Sequence, residues 1–200
     1  MMKNKIAAVI LAAGEGKRFR AASGTQALAT KLIADYKGKP LVRHVVDAAL
    51  AAGLAPVIVV TGHAADDVKR TLVNCPVRYV QNDDYASGMG SSLRLGFAAL
   101  DGQTGGAMVL LGDMPLVDAA LISEMTRVFA DDVSAIVPVF EGERGNPVLL
   151  SMRLAPEIAV LTGDAGARYL LRGREDVREI VVSTPAARLD IDTPDALKNL

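Results

Sequence analysis

The chain has 200 residues, half of them hydrophobic, with 22 basic and 23 acidic side chains and a formal net charge of −1. That length suffices for one substantial core, and the charge balance excludes a global attraction to nucleic acid or to an anionic membrane, so any handling of anions has to be local. One cysteine and two histidines exclude an internal disulfide and a zinc centre built from several Cys or His ligands.

Taken in chain order, the apolar pattern alternates between strand and helix. After the start MMKNK, residues 6–11 form a β-branched run that reads as a buried strand. Its apolar part is too short, and the glycines behind it too many, for a signal peptide. No stretch approaches the roughly 18 apolar residues of a membrane span, so the expected location is cytoplasmic. Residues 40–53, PLVRHVVDAALAAG, have helical spacing with Pro at the start and Gly at the end. Strands are predicted at 57–61, 77–81, 108–111, 135–139, 146–151 and 178–182, and helices at 64–72, 91–100 and 118–129. The alternation predicts one domain over residues 1–200, a three-layer α/β/α Rossmann-like sandwich with a largely parallel sheet. In such sheets ligands bind where the loops gather, at the carboxyl ends of the strands.

Three loops at those ends carry the chemistry. The first, after residues 6–11, runs Leu11-Ala12-Ala13-Gly14-Glu15-Gly16-Lys17-Arg18. A dinucleotide fingerprint would need glycine where Phe19 stands, and a phosphate loop of the Walker type would need Ser or Thr after Lys17 instead of Arg18. The small residues nevertheless let backbone N–H groups approach an anion, while Arg18 and the later Lys31 can neutralise phosphate charge. An ordinary glycine-rich turn with solvated lysines fits the same residues. The second loop, LLGDMPLV, puts Asp113 at a strand end with Pro115 behind it. A carboxylate there suits Mg²⁺, which takes few protein oxygens and fills its shell from phosphates and water; capping of the next helix is the alternative. The third, LDIDTPDAL, sets Asp190 and Asp192 two apart, on one side of the chain if the segment is extended, with a short helix starting at Pro194.

Together these three loops resemble the MobA-like nucleotidyltransferases, and within them the molybdenum cofactor cytidylyltransferases. GKPLVRHVVDAAL, VTGHAADDV, GMGSSLRLG, GERGNPVLL and TGDAGARYLL follow in the expected order across nearly the whole chain. The resemblance implies a nucleotide-diphospho-sugar transferase-like fold and transfer of CMP from CTP to the phosphate of molybdopterin, with Mg²⁺ as cofactor and pyrophosphate as by-product. It implies that Leu11, Ala12, Ala13, Gly14 and Gly16 wrap the nucleotide, with Asn82, Gly88 and Ser91 at base and ribose. Arg18, Lys31 and Asp113 are then the catalytic residues, Asp113 and Asp192 the metal ligands, and Arg144, Asn146 and Arg168 the contacts to the acceptor. Ala13 stands where guanylyl-transferring relatives tend to carry a second glycine, which favours a pyrimidine over a purine. Partners implied are the small-molecule substrates and, for delivery of the product, transient contact with a molybdoenzyme or its chaperone. A sugar or polyol phosphate as acceptor, and a nucleotide-binding protein without turnover, are the alternatives.

Two features depart from the family pattern. Lys31 follows Arg18 by thirteen residues instead of about five, and the intervening 21–30, AASGTQALAT, has the composition of a lid. Asn146 replaces the usual histidine of a Gly-His-Pro triplet, so this position can hydrogen-bond but carries no charge. His63 reads as a strand-end residue leading into a helix, His44 as structural, and Cys75 as a small buried hydrophobe.

Overall fold

The computed structural model describes residues 5–22, 28–163 and 166–198. In chain order the elements are β1 (Lys5–Ala12), α1 (Lys17–Ala22), β2 (Asp35–Tyr36), β3 (Lys39–Pro40), α2 (Leu41–Ala51), β4 (Val57–Thr61), α3 (Ala65–Thr71), β5 (Arg78–Gln81), α4 (Met89–Ala98) and β6 (Thr104–Leu111). They continue with α5 (Ala119–Arg127), β7 (Ala135–Phe140), β8 (Glu143–Arg144), β9 (Val148–Ser151), α6 (Ala155–Ala159), α7 (Ala167–Leu170), β10 (Val177–Val181) and α8 (Pro194–Lys198). The main sheet runs β10-β7-β9-β6-β1-β4-β5, with β8 on β7, while β2 and β3 form a separate two-stranded ribbon. No helix among the described residues is long and apolar enough to cross a membrane.

The sandwich follows from the two-residue period of a strand buried on both faces. In β1, Ala7 to Ile10 are fully buried. Ala8 and Ile10 join the cluster containing Val45 and Val46 of α2 and Ile122 and Met125 of α5. Ala7 and Val9 join the opposite cluster, with Leu93 and Phe97 of α4 and Ile158 of α6. Each large aliphatic side chain so buried contributes about 1.5–3 kcal/mol. Helix α4 lies so close to β1 that a Cβ at Gly96 would stand 2.3 Å from Val9 Cγ1. Helix α2 ends as its sequence predicts: Gly53, at φ +74°, turns the chain so that Leu54 N–H donates to the Ala49 carbonyl at 3.1 Å.

The departures from the sequence reading have local causes. β6 begins at Thr104, four residues before the predicted run, and includes Gly105 and Gly106. Glycine reads as a turn signal, but here a Cβ at Gly106 would meet the Phe129 ring at 2.9 Å and the Leu150 carbonyl at 3.0 Å, so close packing accounts for it. β9 is antiparallel to both β6 and β7, a direction that apolar periodicity does not encode. Residues 17–22, read as loop, form α1 because Phe19 anchors them by burying its ring. Of the insert read as a lid, residues 23–27 lie outside the described residues.

Candidate active site

β1 pairs with β6 on one side and β4 on the other, all three parallel. The chain order reverses at β1, so a crevice opens at the carboxyl ends of these strands. Leu11 stands opposite Leu111 in register, and Gly112 N–H donates to the Leu11 carbonyl at 3.0 Å. A cleft of about 480 Å³ occupies this position, its walls including Ala13, Gly14, Gly16, Arg18, Lys31, Gly88, Asp113 and Asp192.

The glycine-rich turn is only residues 13–16, since α1 starts at Lys17. Gly16 is needed there on two counts: its φ is +58°, and a Cβ would lie 3.3 Å from Lys31 Cγ. Ala13 lines the cleft, but its methyl group packs toward Gly62, where an added Cβ would stand 2.9 Å away. His63 N–H donates to the Ala13 carbonyl at 3.0 Å. The His63 ring sits behind the turn, its Nε2 3.2 Å from Arg20 Nη1 and 3.1 Å from the Ala29 carbonyl.

Asp113, Asp190 and Asp192 converge, each offering a carboxylate oxygen within 4.8 Å of the others. The convergence is built by the backbone: Ile191 N–H donates to the Asp113 carbonyl at 3.0 Å, and Ile191 buries its side chain beside Phe19 and Leu41. With Ile191 facing inward, its two neighbours face the cleft. Three hard oxygen donors fit Mg²⁺ or Mn²⁺. The same spot already attracts a cation of the chain itself, for Lys31 Nζ lies 2.7 Å from both Asp113 and Asp192. Arg18 Nη1 adds a bond of 2.9 Å to Asp192. Burial pulls the Lys31 ammonium down, but the Asp113 charge and hydrogen bonds to both acids outweigh it and raise its pKa. The hydrogen bond from Lys31 holds Asp192 below the usual carboxylate range, against partial burial. Asp190 goes the other way, pushed up by burial and by the charges of Asp113 and Asp192.

Not every residue expected at the nucleotide reaches the cleft. Ala12 points into the core. Asn82 and Ser91 are buried behind the wall, where Asn82 Nδ2 donates to Ser91 Oγ and Ser92 Oγ at 2.9 Å each and Asn82 Oδ1 accepts from Asp84 N–H at 3.0 Å. Ser92, one position on, lines the cleft instead. Asp190 and Tyr85 also line it; of these, the two-residue spacing to Asp192 pointed to Asp190, whereas nothing in the sequence marked Tyr85.

A second cavity of about 250 Å³ shares Leu11, Met89 and Leu111 with the first and brings Arg144, Asn146 and Arg168 together. Arg144 is anchored there, its Nε donating to Glu179 at 2.7 Å and its Nη1 to the Leu171 carbonyl at 3.3 Å.

Residues 8–181 match the MobA-like NTP transferase domain. The chain belongs to this family. Among MobA-like relatives, nicotine blue oxidoreductase of Paenarthrobacter nicotinovorans is 29% identical over 98% of this chain and 96% of its own. Rv0371c of Mycobacterium tuberculosis H37Rv has a similar crystal structure, with TM-score 0.85 and 28% identity over 99% of this chain and 98% of that one; another structure of that protein is a complex with manganese. A nucleotidyl transferase from Methanothermobacter thermautotroptrophicus superposes with TM-score 0.84 and 25% identity, covering 98% and 95% of the two chains. This MobA-like chain therefore has the α/β sandwich that its strand and helix order predicts, of the nucleotide-diphospho-sugar transferase type that the resemblance implies.

Proposed function

We propose that this protein transfers CMP from CTP to a phosphate-bearing acceptor, molybdopterin carrying molybdenum, with the 200 residues acting as one catalytic domain. The observation that carries the reading is the convergence of three carboxylates on the rim of the cleft that the glycine turn lines. An oxygen of the acceptor phosphate attacks the α-phosphorus of the nucleotide. The bond from that phosphorus to the α–β bridging oxygen breaks, and the electron pair leaves on pyrophosphate. The acceptor oxygen is already anionic, so no general base is needed and the task is alignment of two anions.

The turn at 13–16 receives the triphosphate with backbone N–H groups, and Lys31 and Arg18 offset its charge. Asp113, Asp192 and the neighbouring Asp190 would hold Mg²⁺ or Mn²⁺; that cation, when bound, supplies charge neutralisation on the phosphates. Asn82 acts at one remove, fixing Ser91 and Ser92 and so the wall formed by Gly88 and Ser92. On the acceptor side Arg144, held by Glu179, presents its remaining guanidinium N–H groups together with Asn146 and Arg168. Ala13 among the residues lining this end of the cleft supports the smaller base without enforcing it, since a methyl-sized difference discriminates by only about 1–3 kcal/mol.

The Paenarthrobacter relative is named an oxidoreductase, which makes redox turnover the second reading. Three converging carboxylates favour transfer, because they serve charge management around phosphates. Pyrophosphate release measured with each of the four NTPs, with and without molybdopterin and a divalent cation, tests the proposal. Release that needs CTP and molybdopterin supports it. Release with a sugar or polyol phosphate alone moves the acceptor, and oxidation of a reduced nicotinamide cofactor without pyrophosphate release overturns it.

A further inference from the structure

We propose that Lys31 is a built-in counter-cation of the Asp113–Asp192 pair, and that a divalent cation gains these carboxylates only by displacing its ammonium into the cleft. The proposal rests on the reading of Asp113 and Asp192 as ligands of that cation.

Lys31 Nζ sits 2.7 Å from Asp113 Oδ2 and 2.7 Å from Asp192 Oδ1, which puts the ammonium between the two oxygens. Mg²⁺ binds carboxylate oxygen at roughly 2.0–2.1 Å. An ion at that distance from both oxygens would coincide with the ammonium or press against it, and two positive charges in so small a space repel strongly. The side chain is held firmly where it is: only 12% of it is exposed, and its Cγ passes close to Gly16. Yet Lys31 also lines the 480 Å³ cleft, so rotation about its outer bonds carries the ammonium from the carboxylates toward the space assigned to the phosphates.

Arg18 supplies the contrast. It touches Asp192 at Oδ2, not at the oxygen that Lys31 holds, and its side chain is 82% exposed. It adds a positive charge nearby without occupying the position between the acids. Capture of the metal and delivery of Lys31 to the phosphates thus become one exchange. By linkage, a polyphosphate that draws Lys31 away strengthens metal binding, and the metal strengthens the grip on the polyphosphate by the same factor.

Titration with Mn²⁺ in the absence of nucleotide, followed by the electron paramagnetic resonance signal of the free ion, tests this on the full chain. Wild type, Lys31→Met, Arg18→Gln and Asp113→Asn are compared, with Lys31→Gln standing in if Lys31→Met shows no cooperative thermal unfolding. The expected result is Mn²⁺ binding about tenfold tighter or more in Lys31→Met, and a change of no more than about threefold in Arg18→Gln, as an exposed charge is screened by solvent. Lys31→Met binding no more tightly than Arg18→Gln overturns the exchange. Unchanged Mn²⁺ binding in Asp113→Asn overturns instead the assignment of the metal ligands, so the two failures are distinguishable.

Discussion

Replacing Asp113 by Asn separates the chemistry of the cleft from the stability of its frame. The substitution is nearly isosteric, and the Asp113 carbonyl that accepts from Ile191 N–H at 3.0 Å belongs to the backbone, so the C-terminal segment stays in place. What disappears is one of two charge-assisted hydrogen bonds to Lys31; Asp192 still holds that ammonium at 2.7 Å, and no buried charge is left unpaired. A hydrogen bond to a charged group contributes about 1.5–3 kcal/mol, and with the surviving partner and partial exposure the loss falls to about 1 kcal/mol. For a chain of this size that is roughly 2–4 °C in Tm. Loss of one carboxylate from the charge clamp around the reacting phosphates is expected to raise the barrier by about 3–5 kcal/mol, a fall in kcat of roughly 10²–10⁴-fold. Pyrophosphate release under saturating CTP and acceptor, alongside a thermal melt, gives both numbers from one preparation. Activity within tenfold of wild type would refute the role of Asp113. A Tm drop beyond about 10 °C would refute the claim that Asp113 acts in the cleft and not in the frame.

Asn82→Ala removes three hydrogen bonds from a fully buried site; a loss of about 2–4 kcal/mol is expected, read as a lower urea midpoint with unchanged m-value, and a neutral result would mean that the 84–92 wall is held some other way. Gly145→Ala places a methyl group 2.2 Å from the Ala187 carbonyl. The 185–187 turn has to shift with the acidic segment that follows it, so stability should fall by about 1–3 kcal/mol and turnover with it; a crystal structure with that turn unmoved would contradict this. Asp176 lies far from the cleft, its carboxyl lowered to about 2 by its hydrogen bond from Arg174, with Ser134 assisting. Its folded pKa is below the unfolded one, so the stability it contributes is present above about pH 4 and is lost as pH falls toward 2. Asp176→Asn should therefore flatten the acid limb of a stability profile measured by denaturant midpoints between those pH values, and a profile parallel to wild type would show that the pair is not coupled to folding.

Much of this protein is written locally in its sequence. The β-branched runs of β1, β4 and β7 and the Pro-to-Gly span of α2 announce themselves, because period and capping are properties of neighbouring residues. The two-residue spacing of Asp190 and Asp192 puts both carboxylates on one side if the segment is extended, and the three loops in order point to the family that the match over residues 8–181 establishes. What tertiary structure alone decided is long-range. Gly106 sits within β6 because Phe129 and Leu150 pack against it, and β9 runs antiparallel because of its partners. Asn82, which the resemblance puts at the base and ribose, has its amide consumed by Ser91, Ser92 and Asp84. Above all, Lys31 stands thirteen residues after Arg18 and 161 before Asp192, and no local rule could put its ammonium between Asp113 and Asp192. That meeting requires the C-terminal segment to return beside β6, and only the fold brings it there.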